Sequence, residues 1–293
     1  MTYIEDRDAK NLCAINSWKA NAPDYARAFI SDKGAMTALN TLRIYTNNIN
    51  MFWSYMADAN MDNSLKNMCC ITSHMCQDFI DNLLKSLAVS TVLSTISTLS
   101  SLYDFMMQKG YCDHNPFEFI ERPRLEKPEP IKLTNDEKNR LYYVITTGDG
   151  LSKRFLAQEL SHGTRYRNQA IAKLLLETGM KVSELVSLNV DDVDIVAKTL
   201  TVTTSCGEKL VEVSDDIMNT IRDCIDMRYV LSIPSDEKAL FIASQGRNKN
   251  RRISTQTVDG LIKKYAVAAG LTAAEQISPN TFRQMKLLEE RKS

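Results

Sequence analysis

"NQAIAKLLLETGMKVSELVSLNVDDVDI", residues 168–195, decides how this chain folds. It reads as the end of one helix, a stop at Gly179, and the start of a second helix in "KVSELVSL". Lys181 sits at the junction between them. Downstream, in "DIVAKTLTVTTSCGEKLVEVS", Leu200 and Val202, then Leu210, Val211 and Val213, flank a turn near Cys206 and Gly207 and predict a pair of antiparallel strands. Further helices are expected over "DDIMNTIRDCIDMRYV", "STQTVDGLIKKYAVAAG" and "SPNTFRQMKLLEERK", with a short strand, "ALFIAS", after the first of them.

Upstream of residue 168, "TTGDGLSKRFLAQELSHGTRYR" reads as a long insertion-like loop. Before it, Thr134 to Glu137 form a capping-box pattern ahead of a helix through "EKNRLYYVI". Four of the seven prolines, Pro116, Pro123, Pro128 and Pro130, fall in "NPFEFIERPRLEKPEPIKL". Proline fixes φ and pushes its predecessor out of the helical region, so this stretch is expected to be extended and to divide the chain. The boundaries are drawn as a helical domain over 1–121, a linker over 122–132 and a second domain over 133–293. In the first part, Leu42, Tyr45, Ile49, Phe52 and Met56 recur at helical spacing, as do Val92, Ile96, Leu99, Tyr103 and Met106, with Gly110 as a stop. "ITSHMCQDFIDNLLKS" lies between as a third helix, and no strand alternation is seen before residue 195. The fold class is therefore mainly α with a small antiparallel sheet in the second domain.

Charge and composition narrow the function classes. Lysine plus arginine and aspartate plus glutamate both number 36, so no whole-chain basic bias points to nucleic acid. Residues 1–130 carry 12 basic against 15 acidic side chains, and the remainder 24 against 21, so the charge is mildly segregated. No apolar run approaches the roughly 18–20 residues that span a bilayer, so no membrane partner is expected. "MTYIEDRDAK" lacks the basic-then-apolar order of a signal peptide, which places the protein in the cytoplasm or nucleus; the expected place is the cytoplasm, associated with the nucleoid. Seven cysteines in no zinc-like spacing read as reduced thiols, and His74, His114 and His162 are too scattered for a metal site.

Several fragments together resemble the tyrosine recombinases, the phage-integrase and Xer-type strand-exchange proteins. "TLRIYTNNINMFWSYM" is similar to the first helix of their SAM-like core-binding domain. "STISTLSSLYDFMMQKGYCDHNPFEFIERPRLEKPEPIKLTNDEKNRL" is similar to that domain's last helix, the linker and the entry to the catalytic α+β domain. The opening stretch is similar to the segment around the first catalytic arginine, and "ISPNTFRQ" to the box that holds a histidine and the second arginine. The resemblance implies a protein that closes on duplex DNA. In such proteins a tyrosine forms a 3′-phosphotyrosyl bond, with no divalent metal or nucleotide cofactor. Arginines suit that chemistry because a guanidinium meets two phosphate oxygens at once and stays charged. Losing one preorganised donor costs on the order of 10²–10³ in rate.

Carried over by position, the site departs from the family repeatedly. Lys181 stands at the first arginine, Asn280 at the box histidine and Gln284 at the residue after the second arginine, which is Arg283. The hairpin lysine falls near Ser205, with Lys209 displaced toward the next strand. The sequence closes on "MKLLEERKS", so the helices that carry the nucleophilic tyrosine are expected to be missing, and Tyr265 belongs to the preceding helix. Implied DNA contacts are Arg247, Lys249, Arg251 and Arg252 in "GRNKNRRISTQT", then Thr255 and Gln256 where a helix begins. In the helical domain they are Thr41, Arg43, Ser90, Thr91 and Ser94. Three functions remain open: a recombinase-like protein that binds duplex DNA without cleaving it, as an accessory or regulator of mobile DNA; an active recombinase seen without its last segment; and a partner of an active recombinase with little DNA affinity. Self-association on DNA accompanies the first.

Overall fold

Apolar residues three and four apart wind the first half of the chain into helices. The computed structural model describes residues 3–125, 129, 131–204, 207–234, 237–246 and 249–290. Pro128, Pro130, Ser205, Cys206 and Arg247 lie outside those residues. The chain divides into two units, Tyr3–Pro128 and Glu129–Ser293.

The first unit contains α1 (Tyr3–Asn21), α2 (Asp24–Gly34), α3 (Leu39–Asp58), α4 (Leu65–Cys69), α5 (Ser73–Leu84) and α6 (Val89–Gln108). The stripes expected on α3 and α6 are buried, except that Tyr45 is half-buried and stacks beside Phe29 at 6.0 Å. Rich in serine and threonine, α6 has weak helix propensity. Its buried hydroxyls are satisfied within the helix, which spares the core unpaired polar groups: Thr95 donates to Thr91 O at 3.1 Å and Thr98 to Ser94 O at 2.9 Å. Asn48 of α3 then donates to Thr98 Oγ1 at 2.8 Å, which pins the two helices together. An aromatic cluster fills the centre, with Phe52 edge-on to Phe79 at 5.1 Å and to Phe117 at 5.6 Å. Phe117 reaches that core because Asn115 Oδ1 accepts its N–H at 2.9 Å while Asn115 Nδ2 donates to Asp104 Oδ1 at 2.7 Å. The sequence signalled neither α1 nor α2. In α1 the packing rests on few residues: Ile15 is buried in the core, and Trp18 stacks on Trp53 at 5.4 Å.

The second unit opens with α7 (Asn135–Thr147), whose capping box forms as expected: Thr134 Oγ1 accepts from Glu137 N at 3.2 Å, and Glu137 Oε2 from Thr134 N at 2.9 Å. The supposed insertion loop is in part a helix, α8 (Lys153–Ser161), capped by Ser152. It is short, its apolar residues Phe155 and Leu156 are half-buried, and its fully buried residue is Glu159. After α9 (Arg165–Thr178) and α10 (Val182–Ser187) comes an antiparallel sheet in the order β1 (Val193–Asp194), β2 (Thr199–Thr204), β3 (Gly207–Glu212), with Val202 opposite Lys209. Strand structure thus begins just before residue 195, because Val193 and Asp194 pair with Leu200 and Thr199. "ALFIAS" is not a strand of this sheet. It makes isolated bridges, Asn189 to Ala239 and Ile242 to Arg252, and buries Leu240 and Phe241.

Helices α11 (Asp215–Val230), α12 (Thr255–Ala268) and α13 (Pro279–Glu290) complete the unit. Lys173 of α9 is 3% exposed, and its ammonium donates to Asp216 at 2.6 Å and Thr220 at 3.3 Å on α11. Burial pushes the Asp216 carboxyl up, but hydrogen bonds from Lys173 and Tyr142 hold it below the usual carboxylate range. Among the described residues no helix is long and apolar enough to cross a membrane.

Candidate nucleic-acid interface

Gly179 organises the site. It ends α9 with φ +61°, and its N–H donates to Leu175 O at 3.1 Å. The missing side chain also lets α13 pass directly over the turn, since a Cβ here would lie 2.7 Å from Lys286 Cβ and 3.4 Å from Arg283 Cα. Arg283 Nη1 donates to Gly179 O at 3.4 Å.

Lys181 follows as the N-cap of α10. Its backbone N–H donates to Glu184 Oε2 at 2.9 Å, and its ammonium stands 3.6 Å from Glu184 Oε1. The Lys181 charge is therefore turned toward a neighbouring carboxylate. Lys209 reaches the same region from β3. Together Lys209, Arg283, Glu184 and the turn at Gly179 line a cavity of about 150 Å³. Lys286 and Glu290, on the same helix as Arg283, complete its charged lining. Asn280 is exposed on the first turn of α13 and lies outside this lining, as does Lys181 itself. Lys286 was missed from sequence, although its place three residues after Arg283 puts it on the same helix face.

No tyrosine lines the cavity among the described residues. Tyr265 is fully buried, and its hydroxyl bonds to Glu159 Oε1 at 3.4 Å. Burial, reinforced by the Glu159 carboxylate, pushes that hydroxyl far above the ordinary tyrosine range.

The basic segment splits by side-chain direction. Lys249 and Arg251 are exposed. Arg252 turns inward, donating to Val186 O at 2.8 Å, Leu188 O at 2.9 Å and Asn189 Oδ1 at 2.6 Å. Its guanidinium is spent on the carbonyls that end α10, so the expected phosphate contact at Arg252 is replaced by a structural one. Ser254 Oγ accepts from Thr257 N at 3.2 Å and starts α12, leaving Thr255 half-buried in the first turn and Gln256 exposed.

In the helical unit Ser90, Thr91 and Ser94 are exposed at the start of α6, and Thr41 is half-buried on the first turn of α3. Arg43 is half-buried and donates to Thr46 Oγ1 at 3.3 Å. The N-cap residues of these helices are Ala38 and Ala88, neither of which supplies a capping oxygen. First-turn N–H groups without such a cap, at the positive end of the helix dipole, favour an external anion.

Two family models match the chain: "Phage integrase family" over residues 146–290 and "Phage integrase, N-terminal SAM-like domain" over residues 25–110. Tyrosine recombinase XerC of Psychromonas ingrahamii is 28% identical over 200 residues, covering 68% of this chain and 60% of that protein. Tyrosine recombinase XerC of Alcanivorax borkumensis is 29% identical over 184 residues, covering 62% of this chain and 55% of that protein. The chain thus matches less than two thirds of the length of either relative. A crystal structure of XerH site-specific recombinase bound to palindromic difH substrate, a post-cleavage complex, aligns with a TM-score of 0.64 at 17% identity, covering 87% of this chain and 71% of that one. At that identity the likeness speaks for the fold.

Proposed function

The chain belongs to the phage integrase family of tyrosine recombinases, and on that footing we propose that it binds duplex DNA in recombination or integration without cleaving it by itself. The observation that carries this reading is the cavity at Gly179, where Lys209 and Arg283 converge while Lys181 faces Glu184. Two cations lining one small space suit a phosphodiester. Cleavage asks for more. Asn280 has no ionisable proton to exchange, Lys181 lacks the bidentate fork of arginine, and Tyr265 is sealed inside the unit. The role is accessory or regulatory, in the cytoplasm with the nucleoid, alongside a second copy or an active recombinase on the same DNA.

The experiment is a salt titration of duplex binding by fluorescence anisotropy. Each neutralised phosphate contributes about 0.9 to the slope of log K against log salt. Arg251→Ala is expected to lower that slope by about 0.9, with a similar loss on unrelated duplexes. Loss on one sequence alone would mean base reading instead. Arg252→Ala should act on stability, because three acceptors lose a charged donor, a loss of about 1.5–3 kcal/mol per such bond at most. A protein whose binding is absent or indifferent to salt would remove the DNA-binding reading and leave the recombinase-partner one.

A further inference from the structure

We propose that Lys286 is a third phosphate-binding cation of the cavity at Gly179, standing in for the charge that Lys181 commits to Glu184; this rests on the DNA-binding reading above. Four observations meet here. Lys286 lines the cavity together with Lys209 and Arg283. Its stem is fixed, because the space a Cβ on Gly179 would occupy is taken by Lys286 Cβ and Cγ, at 2.7 and 3.2 Å. A packed aliphatic stem with a polar tip delivers its ammonium at low entropic cost. Among the described residues Lys286 and Lys209 form no salt bridge, although the Lys286 charge helps hold the nearby Glu289 carboxyl down, whereas Lys181 and Glu184 pair at 3.6 Å.

The lining therefore holds three cations against two carboxylates, and one of these, Glu184, is already matched by Lys181 from outside. Like charges gathered around a concave space repel one another, and an anion in that space relieves the repulsion. Its size fits one phosphodiester group: about 150 Å³ equals roughly five waters at about 30 Å³ each, too little for a stacked base pair. Lysine supplies a point charge without a fork, so this contact adds affinity and no orientation. The surroundings thus suit holding a phosphate more than activating it.

The test compares parent, Lys286→Met and Lys286→Arg by anisotropy on two unrelated duplexes, from about 50 to 200 mM salt. The methionine variant is expected to lose about 0.9 from the salt slope on both duplexes, while the arginine variant keeps the parental slope. Thermal melts of the same samples verify folding, and if Lys286→Met melts early, Lys286→Gln is read by the same slope. A neutral variant that binds with the parental slope overturns the Lys286 assignment and leaves DNA binding intact. A parent with no salt-dependent binding overturns both. Equal loss in the methionine and arginine variants makes Lys286 a packing residue and likewise rejects the proposal.

Discussion

Replacing Glu159 by alanine is expected to destabilise the second unit by about 3–5 kcal/mol, toward the lower end of that range. The carboxylate is 1% exposed. It accepts from Asn168 Nδ2 at 2.7 Å, Arg165 Nη1 at 3.2 Å and the Tyr265 hydroxyl at 3.4 Å, and so ties α8 to α9 and α12. Its removal strands a buried amide and a buried hydroxyl and leaves Arg165 with the Thr146 carbonyl alone. Arg165 is 23% exposed, so water softens the loss on that side. A domain of ordinary stability holds only about 5–15 kcal/mol, so much of its margin would go. Urea unfolding monitored by far-UV circular dichroism measures it. A shift below about 1 kcal/mol, the range of an exposed ion pair, would mean that Glu159 is solvated and α8 is not anchored.

The second large effect is expected at Gly179→Ala, about 2–5 kcal/mol. Two costs add there. An L-residue held in the left-handed region loses roughly 1–2 kcal/mol. Forcing a methyl group into a packed contact costs typically about 1–3 kcal/mol more. The contact is Lys286 Cβ at 2.7 Å. Gly270 separates the two terms, because its φ of +62° is nearly the same and a Cβ there meets nothing within 4 Å. Gly270→Ala should therefore show the backbone cost alone. The excess at Gly179 reports the close approach of α13, and DNA affinity should fall with it as Arg283 and Lys286 are displaced. Equal destabilisation of the two alanine variants would contradict that packing.

Much of this was legible where a signal is local. The capping box at Thr134 and Glu137, the stripes on α3 and α6 and the stop at Gly179 each depend on residues a few positions apart, and each forms. What stayed hidden depends on distant partners. In α8 the fully buried residue is a carboxylate beside only two half-buried apolar side chains, and a charged residue in a polar stretch reads as loop. The long and mostly polar α1 rests on one buried isoleucine, Ile15, and one tryptophan stack, too few apolar positions for a period to register. "ALFIAS" has strand composition, yet its neighbours are the end of α10 and residues 251–253, and it bridges them singly. Arg251 and Arg252 look alike as sequence. Extended backbone sends neighbouring side chains to opposite sides, so one faces solvent and the other the α10 carbonyls. Beside the cavity at Gly179, the pairing of Lys181 with Glu184 follows from a three-residue helical spacing. The approach of Lys209 from a different element does not.

DNA binding without cleavage is tested most directly by covalent trapping. The chain is incubated with nicked suicide duplexes that it binds in a native gel, and the products are run under denaturing conditions. The expected result is a retarded complex in the native gel and no protein–DNA adduct in the denaturing one, also after Lys181→Arg and Asn280→His, because no tyrosine lines the cavity among the described residues. An adduct that disappears when one tyrosine is changed to phenylalanine would contradict it and make this chain a strand-cleaving recombinase.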